Sequence, residues 1–299
     1  QTFDLVRYSL NQKPMIYRWS QDTAIAEISY LAGPFFRVFS SGLLYALILF
    51  LLVITFFFKR KKIIFNKNTY LLFIFGVVSL FALIISFSRS LWLGIFAGVI
   101  FILFNLPLKR FIKFTATILL LVILLSSLVY FITPSTFNII GDRVNTIIHP
   151  SEESSGTNRL NILSPALDKI SEHPLVGSGF GTTIIYESVT PEKMGTLRVF
   201  AYEWSYLDTI TEIGIIGLAL YFWLLLKIIT VGYKSIRRLS ITKENNEAIL
   251  LIYSFITSIF AIIIANITTP YLNHPLGIGF LLVAMVVFYY FKTFNHGQQ

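Results

Sequence analysis

Cysteine is absent from the 299 residues. That excludes disulfides, thiolate metal sites and a cysteine nucleophile, and it leaves the redox compartment unread. Charge is scarce too. Asp, Glu, Lys and Arg make up 13% of the chain, where a soluble domain carries about 25%. So small a supply cannot clothe a wetted surface, which excludes an ordinary cytosolic enzyme and a disordered chain. Negative charge is the scarcer sign, with 15 acidic against 24 basic residues and a formal charge of +9. This excess does not point to nucleic acid. The cations flank apolar runs, where they orient membrane helices, and no basic stripe with interleaved aromatics is present. The start at Gln1 has neither a Met nor a signal-peptide pattern, so the chain is expected to be the later part of a longer polypeptide.

What the chain has instead is apolar length: 55% of it is hydrophobic and the mean hydropathy is +0.73. A bilayer core of about 30 Å takes about 20 apolar residues in a helix. Seven runs approach that length: Leu43–Phe58, Tyr70–Phe87, Leu91–Leu108, Phe114–Phe131, Ile210–Ile229, Ala248–Ile267 and Leu276–Phe291. Each is apolar around its whole circumference and too long and unalternating for a barrel strand, so helices are expected. Cations follow the first, third, fifth and seventh runs: Lys59 to Lys62 and Lys67, then Lys109, Arg110 and Lys113, then Lys227, Lys234, Arg237, Arg238 and Lys243, then Lys292. These connections alternate, so all four clusters fall on one side, and the short connections opposite hold only Arg89. The positive-inside rule assigns the clustered side to the cytoplasm. The expected organisation is an external segment (1–40), four spans (41–131), a large external loop (132–208), and three spans with a cytoplasmic tail (209–299).

The external loop has its own order. Leu160, Leu163, Leu167 and Ile170 recur at helical spacing among Asn158, Asn161, Asp168 and Lys169. This reads as an amphipathic helix lying on the bilayer or on the spans, although Pro165 falls inside it. The stretch Gly177-Ser178-Gly179-Phe180-Gly181 has no strand before it and no phosphate-loop lysine after it. A tight turn with close backbone approach fits better than a phosphate cradle.

Arg89, in Ser88-Arg89-Ser90, is the sharpest candidate. Its guanidinium stays charged at any usable pH, and membrane depth costs it ~2.5–3.5 kcal/mol on insertion scales. It either snorkels to external headgroups or clamps an anion, most naturally a phosphate. Arg37, Arg143, Arg159 and Arg198 lie on the same side; singly each suits a solvated surface, and together with Arg89 they suggest a basic external cavity. Glu203 is a candidate general base at the loop's end. Glu212 is a second such candidate, and like Asp208 it also suits a helix N-terminus without any catalytic role. His149, His173 and His274 lack the spacing of metal ligands and read as structural. Trp204, Tyr202, Tyr206, Phe180 and Tyr271 suit interfacial anchoring, with stacking on sugar rings a second use.

Taken in order, these residues resemble the O-antigen ligase and Wzy-type O-antigen polymerase superfamily. Ser88-Arg89-Ser90-Leu91-Trp92-Leu93-Gly94 is similar to that family's SRGxWLG segment at a span start. A large external loop follows, then Arg159 ahead of a helix, then His173-Pro174-Leu175-Val176-Gly177-Ser178-Gly179. Tyr206-Leu207 then runs into Glu212-Ile213-Gly214-Ile215-Ile216-Gly217, and Arg37-Val38-Phe39-Ser40 resembles an external arginine segment of the family. The likeness covers most of the chain from Arg37 onward.

The resemblance implies an all-α, multi-pass glycosyltransferase of GT-C-like architecture in the bacterial cytoplasmic membrane. It implies an undecaprenyl-pyrophosphate-linked glycan as donor and a glycan or lipid-linked acceptor. No metal, cofactor or nucleic acid is implied. Arg89 and Arg159 would hold the pyrophosphate and stabilise it as it leaves, because fixed guanidinium groups meet the developing charge without reorganising. Arg37, Arg198 and Tyr206 would bind pyrophosphate or glycan. Ligases of the family carry His-Asn shortly before the Tyr-Leu pair, and Glu203-Trp204 stand there in this chain. That departure favours a chain-extending polymerase over a ligase using lipid A-core, and makes Glu203 the expected base. A chain-length regulator and a flippase are implied as partners. A transporter of lipid-linked glycan, the reading from another class, would need polar groups near the membrane midplane, often with broken helices or internal repeats, and the spans have few such groups.

Overall fold

The computed structural model of the chain describes residues 26–32, 35–60, 67–86, 88–107, 154–189, 194–242 and 246–293, together with 109, 111, 112, 116 and 127. In chain order the elements are strands β1 (Ala26–Ala32) and β2 (Phe35–Ser40), helices α1 (Leu43–Lys59), α2 (Lys67–Ile85), α3 (Arg89–Phe104) and α4 (Ser154–Glu172), strands β3 (Ile184–Ser188) and β4 (Gly195–Val199), and helices α5 (Ser205–Thr242), α6 (Asn246–Ala265) and α7 (Pro275–Thr293). The architecture is helical. Four helices are long and apolar enough to cross a membrane, namely α2, α5, α6 and α7, while α1 and α3 are shorter apolar helices. All six coincide with expected spans. The expected span Phe114–Phe131 lies outside the described residues, apart from positions 116 and 127.

Two antiparallel hairpins, β1–β2 and β3–β4, add to the expected all-α fold. All four strands are short, of five to seven residues. Ile184-Ile185-Tyr186-Glu187-Ser188 buries its two ends and exposes Ile185 and Glu187, the period of a strand rather than a helix. Alternation over five residues is a weak signal beside runs of twenty.

The chain forms two compact units. The first comprises residues 1–106, 227–265 and 271–299. Its hub is α6, 67% buried, against 17–28% for the other three long helices, whose apolar sides face outward. Helix α3 approaches α6 closely because it presents glycine there: Gly94 and Gly98 lie against Leu47, Leu51, Ala261 and Ala265. This is the small-xxx-small contact of membrane helices, where only van der Waals fit and hydrogen bonds favour association. Phe255 stacks on Phe280 at 5.5 Å to join α6 to α7.

The ends of this unit differ in charge. At one end Arg60 pairs with Glu247 at 2.8 Å, Lys59 donates to the Asn105 carbonyl at 3.3 Å, and Arg238 donates to the Lys292 carbonyl. The cations at the C-terminal ends of α1, α5 and α7 thus gather at one end. The starts of α1, α3 and α7 meet at the other, where Tyr45 donates to the Leu276 carbonyl and Ser90 bonds Tyr271.

The second unit comprises residues 107–226 and 266–270. Its core is Ile162 and Ala166 of α4, Ile184 of β3, and Tyr202, with Tyr186, Val199, Trp204 and Leu207 packed around them. The helix expected here forms and runs through Pro165. Its expected apolar stripe is not the side that the hairpin covers, and Leu160 and Leu167 are exposed. The covered side is the row Asn158, Ile162 and Ala166, spaced four apart. Asn158 donates to the Ser188 hydroxyl at 3.2 Å and accepts from the Val189 N–H at 2.8 Å, while Asn161 donates to the Glu187 carbonyl at 2.9 Å. Two asparagines that read as solvated instead satisfy the end of a strand that would otherwise leave its backbone bare.

Candidate active site

The sequence landmarks of the large loop come together within the second unit. Arg159, in the second turn of α4, forms an ion pair with Glu203 through its Nε. The arginine is largely covered and Glu203 is 54% exposed. Trp204, next in the chain, donates its indole N–H to the Arg159 carbonyl at 2.8 Å. Glu203 and Trp204 therefore hold Arg159 at two points, one on the guanidinium and one on the backbone.

Behind this pair lies a buried hydroxyl link. Tyr202 and Thr211 share a hydrogen bond of 2.7 Å, and Thr211 also donates to the Leu207 carbonyl at 2.9 Å. Burial pushes the Tyr202 hydroxyl well above its ordinary pKa, so it remains protonated. The link ties the segment holding Glu203 to helix α5.

Helix α5 is broken at Gly214, whose φ of 70° and ψ of −178° are not helical. The loop His173–Gly179 fills the break. Ser178 and Gly179 donate their N–H groups to the carbonyls of Thr211 and Glu212 at 2.8 and 2.9 Å. The N–H groups of Ile215 and Ile216 donate to the carbonyls of Pro174 and Leu175 at 2.9 and 3.2 Å. Both half-helices are thereby capped by one loop, which satisfies groups that a helix end leaves orphaned. The Glu212 carboxylate accepts the Gly181 N–H at 3.0 Å. The glycine-rich stretch is thus the close backbone approach expected of it. A Cβ on Gly177 would collide with the backbone of Glu212, and one on Gly214 with the Leu175 carbonyl.

The remaining expected site residues stand apart from this pair or belong to the other unit. Arg198 is exposed on β4 and donates to Thr183 Oγ1 at 3.0 Å. Tyr206 is half-buried; its ring lies 5.2 Å from Phe222 and its hydroxyl bonds Asn266. Arg89 belongs to the first unit, half-buried at the start of α3 between two buried serines. Those serines bond each other at 2.9 Å, and Ser90 bonds the buried Tyr271 at 3.2 Å. Arg37 is on β2, paired through the backbone with Ser29. Arg143 and His149 lie outside the described residues. Sequence reasoning missed the two-point hold on Arg159, although Trp204 next to Glu203 was its visible signal. Among the described residues no group of three or more His, Asp or Glu side chains is placed to hold a metal ion.

Apolar helices and an uneven distribution of cations define a multi-pass membrane protein. Residues 74–222 match the family model described as O-antigen ligase, and by that match the chain is a member of the O-antigen ligase/Wzy superfamily. Ligase- or polymerase-type glycan transfer is the activity that this membership carries. The matched segment includes Arg89, Arg159, Arg198, Glu203 and Tyr206; Arg37 precedes it. No curated protein matches the chain.

Proposed function

We propose that the chain extends polysaccharide on the non-cytoplasmic face of the bacterial cytoplasmic membrane, using undecaprenyl-pyrophosphate-linked oligosaccharide as donor. The observation that carries this reading is the Arg159–Glu203 pair, braced by Trp204, at the place where a ligase of the family carries His-Asn. A diphosphate competes with Glu203 for the Arg159 guanidinium, since phosphate oxygens take the same bidentate contacts as a carboxylate. When Arg159 turns to the donor, Glu203 is released beside the reaction centre. Its carboxylate then accepts the proton of the acceptor sugar hydroxyl. The hydroxyl oxygen attacks C1 of the donor glycan, the C1–O bond to phosphate breaks, and the electron pair leaves on the pyrophosphate, where Arg159 and Arg89 meet the charge. Attack from the face opposite the leaving group inverts the anomeric centre. Arg37, Arg198 and Tyr206 are assigned to pyrophosphate or glycan binding, and no metal or cofactor takes part. A chain-length regulator and a flippase are the proposed protein partners.

The family description itself favours a second reading, transfer of the glycan to lipid A-core. The chemistry is the same and only the acceptor hydroxyl differs. Purified protein in vesicles, supplied with the lipid-linked repeat alone, separates the two: a polymerase gives a ladder of lengthening products, and a ligase gives none until lipid A-core is added. Arg89→Ala and Arg159→Ala should each abolish transfer while the protein accumulates normally in the membrane. Full transfer by both variants overturns the mechanism.

A further inference from the structure

The loop that fills the break in α5 carries large apolar side chains on its outer side. Leu175 is 59% exposed and Val176 is 70% exposed. Their depth is fixed by backbone. Hydrogen bonds from Ile215 and Ile216 to the Pro174 and Leu175 carbonyls set this tip level with the first turn of the second half-helix. Ile215 and Ile216 are themselves about half exposed, and Leu220, Trp223 and Leu224 continue the bare apolar surface along the helix. The twenty residues from Gly214 to Tyr233 hold one charge, Lys227, whereas Asp208 and Glu212 fall in the short stretch before them. At 1.5 Å per residue, twenty residues cover about 30 Å, the thickness of a hydrocarbon core. The membrane boundary on α5 therefore falls near Gly214, and the tip sits at its inner edge.

Non-helical backbone is tolerated at that depth only if its polar groups are satisfied. Here Pro174 has no N–H to satisfy, its carbonyl and that of Leu175 accept from α5, and the N–H groups of Gly177, Ser178 and Gly179 donate to the carbonyls of His173, Thr211 and Glu212. The N–H groups of Leu175 and Val176 have no protein partner among the described residues and are left to headgroup oxygens at the boundary. We propose that Pro174–Val176 is a re-entrant tip of the large loop that seats Leu175 and Val176 among the acyl chains of the adjacent lipid leaflet, as a continuation of the lipid-facing surface of α5. This rests on the break in α5 and on the membrane class of the chain, and it holds whichever acceptor the enzyme uses.

The absence of cysteine makes the test direct. Val176→Cys and, separately, Leu175→Cys are spin-labelled in the full chain, reconstituted in phosphatidylethanolamine/phosphatidylglycerol vesicles, and probed by collision with oxygen and with a water-soluble nickel chelate. Leu220→Cys on α5 is the lipid reference and Asp168→Cys on α4 the water reference. The oxygen-to-nickel accessibility ratio at 175 and 176 should lie several-fold above that at 168 and near that at 220. A ratio matching residue 168 overturns the proposal. So does low collision with both reagents, which would mean that protein covers the tip. Either position suffices if the other variant fails to accumulate.

Discussion

At the scale of single residues, Glu203 has two jobs that a substitution can separate. As a partner it holds Arg159, and under the proposed mechanism it takes a proton as a base. Glutamine keeps the shape and an oxygen that still accepts from a guanidinium, but it cannot take the proton at any usable pH. Glu203→Gln should therefore bind lipid-linked donor at least as well as the parent, since the competing charge is gone, and lose turnover by about 10²–10⁴-fold, the usual weight of a general base. Donor binding and chain extension measured on the same vesicles check this, and unchanged turnover leaves Glu203 as a partner only. Trp204→Phe removes the indole N–H from the Arg159 carbonyl while keeping most of the ring's packing. As a positioning change it should raise the donor concentration needed for half-maximal transfer more than it lowers the maximal rate. Both roles were half legible in the sequence. Glu203 stood out as a carboxylate at a membrane boundary in a position known from the family, but its pairing with Arg159 joins residues 44 apart, across a hairpin whose alternation was too short to read.

Among the elements, the broken helix is the one with most consequence. A transporter places such a break around an ion or substrate, with the freed backbone groups lining a cavity. In this chain the break is filled by His173–Gly179, which takes the carbonyls of Thr211 and Glu212 and the N–H groups of Ile215 and Ile216. That argues for a rigid joint rather than a transport site. The joint depends on two glycines for different reasons than the others nearby. Gly177 and Gly214 combine positive φ with backbone contact that leaves no room for a Cβ, whereas Gly179 and Gly181 have positive φ and open space. Gly179→Ala should then cost only the left-handed strain, about 1–2 kcal/mol. Gly177→Ala and Gly214→Ala should cost clearly more and lower the unfolding temperature in detergent further. Equal losses at all three positions would mean that the clasp is not what the glycines preserve. The sequence showed that these glycines serve close approach. It did not show what they approach, because His-Pro-Leu-Val-Gly-Ser-Gly and Glu-Ile-Gly lie some 35 residues apart and only the fold brings them together.

For the whole molecule, composition decided the class and left the sidedness to cation counting. The helices made that counting testable inside the first unit, where Arg60, Lys59, Arg238 and Lys292 lie at one end and Tyr271 and the Ser88–Ser90 turn at the other. An end rich in Lys and Arg is retained in the cytoplasm because positive residues resist translocation. By alternation the loop bearing Arg159 and Glu203 is expected outside, the side on which a lipid-linked glycan is extended under the proposed reaction. Single cysteines introduced into this cysteine-free chain report the sidedness in intact cells treated with a membrane-impermeant maleimide. Thr196→Cys, exposed on β4 of the loop, should label without permeabilisation. Arg237→Cys, exposed near the cationic end of α5, should label only after the membrane is opened. Opposite behaviour at both sites would place the Arg159–Glu203 pair in the cytoplasm. The positive-inside assignment and the external reaction would then fail together, while the helix packing and the clasped break in α5 would stand unchanged.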